Sequence, residues 1–113
     1  MPTDTTVPPG LSRPTDLSEK GNLAYDAIMK VLRDRDALYT GGCTGFYSPM
    51  AWKERGETYG TESFLVVVYD GGDLTSFFRG GECDKDYMKM VRALEEIGLY
   101  FEECTHWYAA IYE

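Results

Sequence analysis

The feature that most constrains the fold is an unbroken apolar run of six residues, Phe64–Tyr69, near the middle of the chain. Its sequence, Phe-Leu-Val-Val-Val-Tyr, is rich in strand-forming residues and does not alternate between apolar and polar side chains. That pattern is typical of a central strand that is covered on both faces. The run is far too short to cross a bilayer. We therefore predict a layered domain built around this strand.

Turn residues after this run predict a β-hairpin. Asp70-Gly-Gly-Asp73 has turn chemistry, and Leu74–Phe78 is predicted to return as a second strand. The paired aspartates also suggest an ion site, but no EF-hand, P-loop or dinucleotide pattern accompanies them, so we favour the turn. The chain is predicted to end in an aromatic strand over residues 99–112, interrupted near residues 103–106.

The first long helix is predicted from about Leu17 to Asp36, because apolar residues recur there at spacings of three and four. Asp16 and Glu19 have capping-box spacing at its start. Gly21 is expected to weaken the first turn, since glycine is a poor helix former.

Two further helices are predicted from their end signals. Ser48 and Gly56 are expected to cap and stop a short helix, with Trp52 pointing inward. Asp84 is expected to cap a second main helix with one apolar stripe, and Gly98 fits the position just past its end.

The order of these elements predicts an α+β domain, in which two main helices and one short extra helix accompany an antiparallel sheet. Residues 1–15 contain four of the five prolines and few apolar residues. Such a composition cannot repay the entropy of ordering, so we predict a flexible, disordered N-terminal tail over residues 1–15. Residues 16–113 are predicted to form a single domain, a size that can bury a core without disulfides.

The cysteines favour a reducing compartment. Cys43, Cys83 and Cys104 are odd in number and far apart, unlike a disulfide framework, and no signal-peptide pattern precedes them, so we expect a cytoplasmic protein. Together with His106 they have the chemistry of a zinc site but not its usual paired spacing. Cys104 and His106 also suggest a thiolate and its base, without a third group to orient them. We expect no cofactor, and a zinc-supported or cysteine-dependent enzyme is the alternative.

Negative charge is concentrated in the last third of the chain. Residues 81–113 hold eight acids and three bases and so supply five of the eight net negative charges. An acidic surface repels nucleic acid and attracts a basic protein surface, although many such clusters only keep a protein soluble. The acids that we expect to contact a partner are Asp84, Asp86, Glu95, Glu96, Glu102 and Glu103.

Aromatic residues are too numerous for all to be buried in a domain of this size, with nine tyrosines, five phenylalanines and two tryptophans. Tyr, Trp and Arg are common anchors of protein interfaces. Aromatics also stack on single-stranded bases, but that mode needs a basic groove, and the charge argues against it. The candidate anchors are Tyr47, Trp52, Arg55, Tyr59, Trp107, Tyr108 and Tyr112.

Two segments resemble small uncharacterised proteins of bacteriophages and integrated mobile elements: Cys43-Thr-Gly-Phe-Tyr-Ser-Pro-Met-Ala-Trp-Lys-Glu-Arg-Gly-Glu-Thr-Tyr-Gly60 and Cys104-Thr-His-Trp-Tyr108. The resemblance implies a setting in which small acidic proteins inhibit host defence, as anti-CRISPR and anti-restriction proteins do. It implies no functional residue.

From charge and resemblance together we expect an inhibitor, either a monomer or a homodimer, that binds the basic, nucleic-acid-binding surface of a target protein. Its carboxylates would take the place of phosphates. We expect it to bind neither nucleic acid directly nor a membrane. An antitoxin or immunity protein would use the same binding chemistry on another target.

Overall fold

The computed structural model describes residues 11–35, 45–69, 75–81, 84–105 and 107–113. Within these residues it contains four helices and one four-stranded sheet. In chain order the elements are α1 (Glu19–Asp34), β1 (Gly45–Tyr47), α2 (Pro49–Glu54), β2 (Leu65–Val68), α3 (Thr75–Arg79), α4 (Lys85–Glu95), β3 (Tyr100–Thr105) and β4 (Tyr108–Tyr112).

The sheet has the strand order β1-β2-β4-β3, and all neighbouring strands are antiparallel. In β2, Val67 lies opposite Phe46 of β1 on one side and Ala109 of β4 on the other. All four residues of β2 are buried. The predicted central strand and the predicted α+β class with an antiparallel sheet are therefore confirmed.

The first face of the sheet is covered by helices. Leu65 and Val67 of β2 point toward this side, because alternate residues of a strand share a face and both belong to the main hydrophobic cluster. Helices α1, α3 and α4 contribute the opposing side chains. The helical part of this cluster consists of Ala24, Tyr25, Ile28, Met29, Val31, Leu32, Phe77, Phe78, Met90 and Leu94.

The second face carries a smaller cluster in which Trp52 of α2 packs on Val66, Val68 and Tyr108. The indole nitrogen of Trp52 donates to the carbonyl of Tyr59 at 2.9 Å. The hydroxyl of Tyr108 donates to the same carbonyl at 3.3 Å. These two bonds hold the chain between α2 and β2 against the sheet. Trp52 points inward, as predicted.

Helix α1 begins two residues later than predicted, at Glu19. Ser18, rather than Asp16, is its N-cap, and the Ser18 hydroxyl accepts from the amide of Gly21 at 3.1 Å. Ser18 directly precedes the first helical residue, so its short side chain reaches that amide. Asp16 instead accepts a hydrogen bond from the hydroxyl of Ser48 at 2.9 Å. The predicted capping box is therefore wrong, although the helix is present.

The predicted ends of the other two helices are confirmed. Ser48 caps α2 by accepting from the amide of Ala51 at 3.1 Å, and Gly56 follows the helix with a φ of 91°. Asp84 caps α4 through its side chain. Gly98 has a φ of 80° beyond the end of α4, in the left-handed region that glycine adopts readily.

The predicted hairpin is wrong. Residues 75–79 form the short helix α3 instead of a returning strand, and residues 70–74, with the predicted turn, lie outside the described residues. Both edges of β2 are occupied, by β1 and β4, so a strand after the turn has no free edge beside it. Phe77 and Phe78 are both buried. A helical turn directs both adjacent rings into one core, whereas a strand would place them on opposite faces.

The C-terminal aromatic segment forms the hairpin β3–β4, with an irregular register between Glu103 and Thr105. The predicted interruption of the last strand is therefore confirmed. His106, in the connection between the two strands, lies outside the described residues.

The described end of the predicted tail contacts α1. Leu11 is fully buried, and its carbonyl accepts from the Tyr25 hydroxyl at 2.5 Å. The guanidinium of Arg13 lies 4.5 Å from the centre of the Tyr25 ring and pairs with Asp26 at 2.5 Å. Residues 11–13 are therefore tied to the domain, while residues 1–10 lie outside the described part of the chain.

Candidate functional site

The second face of the sheet is covered over only part of its area. Helix α2 and the segment that follows it lie over β1 and β2, whereas the side chains of β3 and the end of β4 reach the surface. There the rings of Tyr100 and Tyr112 lie opposite each other, with centroids 5.9 Å apart. Glu102 and Cys104 follow at alternate positions of β3, on the same face. We call Tyr100, Glu102, Cys104 and Tyr112 the open face.

The open face is negatively charged. Glu102 lies on the same face of the sheet as Tyr112, and Phe64, two residues after Glu62, donates its amide to the carbonyl of Ile111 at 2.8 Å, which brings the chain at Glu62 toward the end of β4. Burial raises the pKa of the Tyr112 hydroxyl, and Cys104, Glu102, Tyr100 and Glu62 raise it further. Glu62 and Glu102 are exposed, and neither makes an ion pair with another described residue. Tyr100 keeps 49% of its surface exposed. The arrangement places two unpaired carboxylates beside two tyrosines, which suits a cationic partner.

Three of the six predicted acids have structural partners instead. Asp84 accepts from two backbone amides at the start of α4, at 2.8 and 3.2 Å. Asp86 pairs with Arg35 at 2.6 Å. Glu103 pairs with Arg79 of α3 on the first face of the sheet. These carboxylates help to hold the domain together.

The six acids do not form one ridge. Glu102 and Glu103 are adjacent in a strand and therefore point to opposite faces. Glu95 and Glu96 are exposed at the C-terminal end of α4, about 16 Å along the helix axis from Asp84. Only Glu102 belongs to the open face.

The predicted anchors near α2 lie beside the covered part of the second face. Trp52 is fully buried, so it belongs to the core beneath this surface and cannot contact a partner directly. Arg55 is exposed, and its guanidinium lies 4.6 Å from the centre of the Trp52 ring and 5.1 Å from that of the half-buried Tyr47. Arg55 also pairs with Glu57 at 3.5 Å. This cation is thus already in contact with the protein's own aromatic rings and carboxylate.

Two of the predicted anchors reach the surface near the open face. Tyr59 has 67% of its surface exposed, while its backbone carbonyl holds Trp52 and Tyr108. Trp107 is half-buried, with its ring 4.5 Å from that of Tyr108. Tyr108 is itself buried, so the exposed aromatic surface here comes from Tyr59 and Trp107.

Two residues of this region were not predicted from the sequence. Tyr100 shares a face with Glu102 because it lies two residues earlier in the same strand, so the alternation of β3 was an available signal. Glu62 precedes β2 by three residues. Its approach to Tyr112 depends on the pairing of β2 with β4, for which the sequence has no local signal.

Of the predicted zinc ligands and catalytic pair, only Cys104 lies among the described residues. Cys43, Cys83 and His106, three of the four predicted zinc ligands, lie outside the described residues. Within the described residues, no three His, Cys, Asp or Glu side chains are grouped to hold a metal. Burial raises the pKa of the Cys104 thiol, and Glu102 raises it further. A reactive cysteine needs a lowered pKa, so the environment of Cys104 disfavours the thiolate.

Comparison of the chain with protein-family models, curated proteins and solved structures gives no match. In the described parts of the chain, no helix has both the length and the apolar character needed to cross a membrane.

Proposed function

We propose that this is a small binding protein whose open face, together with Glu62 and Tyr59, occupies a basic, nucleic-acid-binding surface of a partner protein. The observation that carries the proposal is a pair of exposed carboxylates without an ion-pair partner among the described residues. Glu102 belongs to the open face, and Glu62 lies two residues before Phe64, whose amide bonds to Ile111 of β4 at 2.8 Å.

Such an arrangement suits the recognition of arginine and lysine. Carboxylates accept charge-assisted hydrogen bonds from these side chains, as phosphate oxygens do. Tyr59 and Tyr100, both well exposed, supply large and rigid side chains that bury apolar area when a partner excludes water. The carboxylates would give charge complementarity, and the rings would supply most of the contact energy.

The charge of the whole chain supports the same proposal. Glu95 and Glu96 lie at the C-terminal end of α4, where the helix dipole disfavours negative charge, so their position does not stabilise the helix. With a net charge of −8, the protein attracts a basic surface over several ångströms. Association is then fast at low salt and slower at high salt.

The class of target follows from the resemblance to phage and mobile-element proteins. In that setting the partner is a nucleic-acid-handling protein of host defence in the bacterial cytoplasm, and the chain is an anti-CRISPR or anti-restriction inhibitor that competes with nucleic acid. The carboxylates act as phosphate mimics in this proposal. The raised pKa of Cys104 gives no support to the alternative of a cysteine-dependent enzyme.

The proposal is tested by affinity capture from bacterial lysates that contain active defence systems. Tagged wild-type protein and the double variant Glu62→Lys/Glu102→Lys are compared at low and high salt, and captured proteins are identified by mass spectrometry. We expect the wild type to capture a nucleic-acid-handling protein that competing DNA or high salt displaces. The double variant should not capture it.

The matched control is Glu54→Lys, which reverses an exposed carboxylate on α2. It changes net charge in the same direction but lies away from the open face, and it should retain capture. Equal capture by the double variant and the wild type, with both proteins folded by circular dichroism, contradicts the proposal.

A further inference from the structure

A second surface lies on the helical side of the molecule. The ion pair between Arg35, just after α1, and Asp86, in the first turn of α4, joins the end of one helix to the start of the other. The two helices therefore run antiparallel. Between them is a groove of about 820 Å³ that both helices line.

The groove has an apolar floor. Ala27 of α1 and Ala93 of α4 line it with small side chains, which permit close approach of another chain. At one end lie Leu23 and Ile97, which keep 46% and 38% of their surfaces exposed. Met88 is half-buried in the wall. A partner that covers apolar area of this kind removes it from water, and this burial stabilises the complex.

The α4 side of the groove is basic. Lys85, Lys89 and Arg92 follow one another at spacings of four and three, which places them on one side of the helix. All three are exposed, and none makes an ion pair with another described residue. Glu96 follows Arg92 as the acid at the far end of this row. A chain with a net charge of −8 thus presents three unpaired cations beside an apolar groove.

The α1 side does not offset this charge. Asp26 pairs with Arg13 at 2.5 Å, and Asp34 pairs with Lys30 at 3.5 Å. The side chain of Asp84, at the start of α4, accepts hydrogen bonds from two backbone amides of its own helix. Asp26 and Asp34 are thus neutralised by cations, whereas Asp84 and Glu96 keep their charge at the two ends of the α4 row. Between those ends the positive charge of Lys85, Lys89 and Arg92 is available to an acidic ligand.

We propose that this groove binds an amphipathic helix of a partner protein, with an apolar ridge in the groove and an acidic flank against Lys85, Lys89 and Arg92. From Leu23 to Asp34 the groove follows about 16 Å of α1, which accommodates three turns of a helix. Apolar grooves between two helices are a common binding mode for such ligands. A second copy of this chain fits less well, because Asp26 and Asp34, two of the three acids on its own α1, are already paired.

The groove lies on the outer side of the helical layer, and the open face lies on the other side of the sheet. A helix in the groove would therefore leave the open face accessible. This inference does not depend on the proposed function, since it rests on different residues and on a partner of opposite charge.

The test is a selection from a displayed library of helical peptides about five turns long, with leucines fixed along one ridge and the flanking positions varied among Glu, Gln and Lys. The full-length protein is the bait. We expect enriched peptides to carry Glu along one flank. Their binding is then measured by fluorescence anisotropy with purified peptide.

The double variant Lys89→Glu/Arg92→Glu changes only exposed side chains and should weaken the selected peptide about tenfold or more. Ile97→Asp should weaken it to a similar extent by adding charge to the apolar end of the groove. Lys53→Glu, on α2, is the matched control and should leave binding within about twofold. Circular dichroism verifies that each variant is folded.

Three outcomes would overturn the inference. One is the absence of any enriched peptide, and another is the enrichment of Lys-rich flanks or of peptides that bind the charge-reversed variant equally well. The third is a dimer in analytical ultracentrifugation that Ile97→Asp dissociates, because the groove would then be covered by a second copy.

Discussion

Gly21 illustrates how a single missing side chain sets the packing of α1. A Cβ atom at this position would lie 2.5 Å from the backbone oxygen of Phe64, a contact that requires movement of the main chain. Alanine usually stabilises a helix by about 1 kcal/mol relative to glycine. Here overpacking costs about 1–3 kcal/mol and outweighs that gain. From sequence alone the glycine indicates only a weak first turn, because the approach of Phe64 is a tertiary contact.

We predict that Gly21→Ala lowers the free energy of unfolding by about 1 kcal/mol, measured by urea denaturation. Gly56→Ala is the control for backbone strain alone, since its φ is 91° but no atom lies within 4 Å of the added Cβ. Stabilisation by Gly21→Ala would contradict the close approach of α1 to Phe64.

Tyr69 makes the free energy of unfolding depend on pH in the alkaline range. Its ring is fully buried and stacks on Phe78 at 5.5 Å. Burial raises the pKa of its hydroxyl, and the charge of Glu103 raises it further. The unfolded chain therefore loses this proton at lower pH than the folded protein, so the stabilisation is present below pH about 10 and is lost as the pH rises above it.

We predict that Tyr69→Phe reduces the loss of stability between pH about 9 and 11, measured by urea denaturation at several pH values. The hydroxyl makes only a long hydrogen bond, 3.5 Å from the Thr105 carbonyl, so the cost at neutral pH should be small. Tyr59→Phe, at an exposed ring, is the matched control. An unchanged pH profile in Tyr69→Phe would show that burial does not suppress ionisation of this residue.

Ser48 links two elements through one hydroxyl. The oxygen accepts from the amide of Ala51 in α2, at 3.1 Å, and its proton is donated to Asp16 before α1, at 2.9 Å. Ser48 is fully buried. The N-cap of α1, Ser18, is exposed, and its hydroxyl accepts a hydrogen bond from the amide of Gly21 at 3.1 Å. The two caps therefore form a matched pair with different environments.

We predict that Ser48→Ala lowers the free energy of unfolding by about 2 kcal/mol, because a cap and a partly buried hydrogen bond to a carboxylate are lost together. Ser18→Ala should cost about 1 kcal/mol or less, because water replaces the exposed cap. Thermal and urea denaturation measure both. Equal losses for the two variants would contradict the role of Ser48 in joining α2 to the segment before α1.

Elements with strong local signals could be predicted from the sequence, and those set by their neighbours could not. The uniform apolar run identifies β2, and Ser48 and Asp84 identify helix starts, because caps and burial patterns act within a few residues. Helix α3 was predicted as a strand because Phe77 and Phe78 suit either structure. Its conformation is decided by β4, a distant segment that occupies the edge of β2.

The same distinction applies to the candidate site. An excess of acids is visible in the sequence, but which acids are paired depends on tertiary contacts. Arg35 and Arg79 neutralise Asp86 and Glu103 from other elements, so these carboxylates are removed from the acidic surface. Glu62 comes close to the open face because β2 pairs with β4.

On the scale of the whole molecule, the sheet separates two surfaces of different character. The open face and the neighbouring Glu62 combine two carboxylates with the rings of Tyr100 and Tyr112, and the groove between α1 and α4 combines an apolar floor with a row of three cations. Among the described residues, neither these carboxylates nor these cations have an ion-pair partner. The first of these surfaces carries the proposed function. If its carboxylates take the place of phosphates, the partner cannot hold this protein and nucleic acid at the same site.

The most direct test of that claim is a competition titration on the captured partner with fluorescently labelled DNA. We predict that the wild-type protein and Glu54→Lys displace the DNA stoichiometrically, whereas Glu62→Lys/Glu102→Lys needs at least about tenfold more protein. Raising the salt concentration should weaken both complexes. A ternary complex of partner, DNA and this protein, or equal displacement by the charge-reversed variant, would contradict competition for one site.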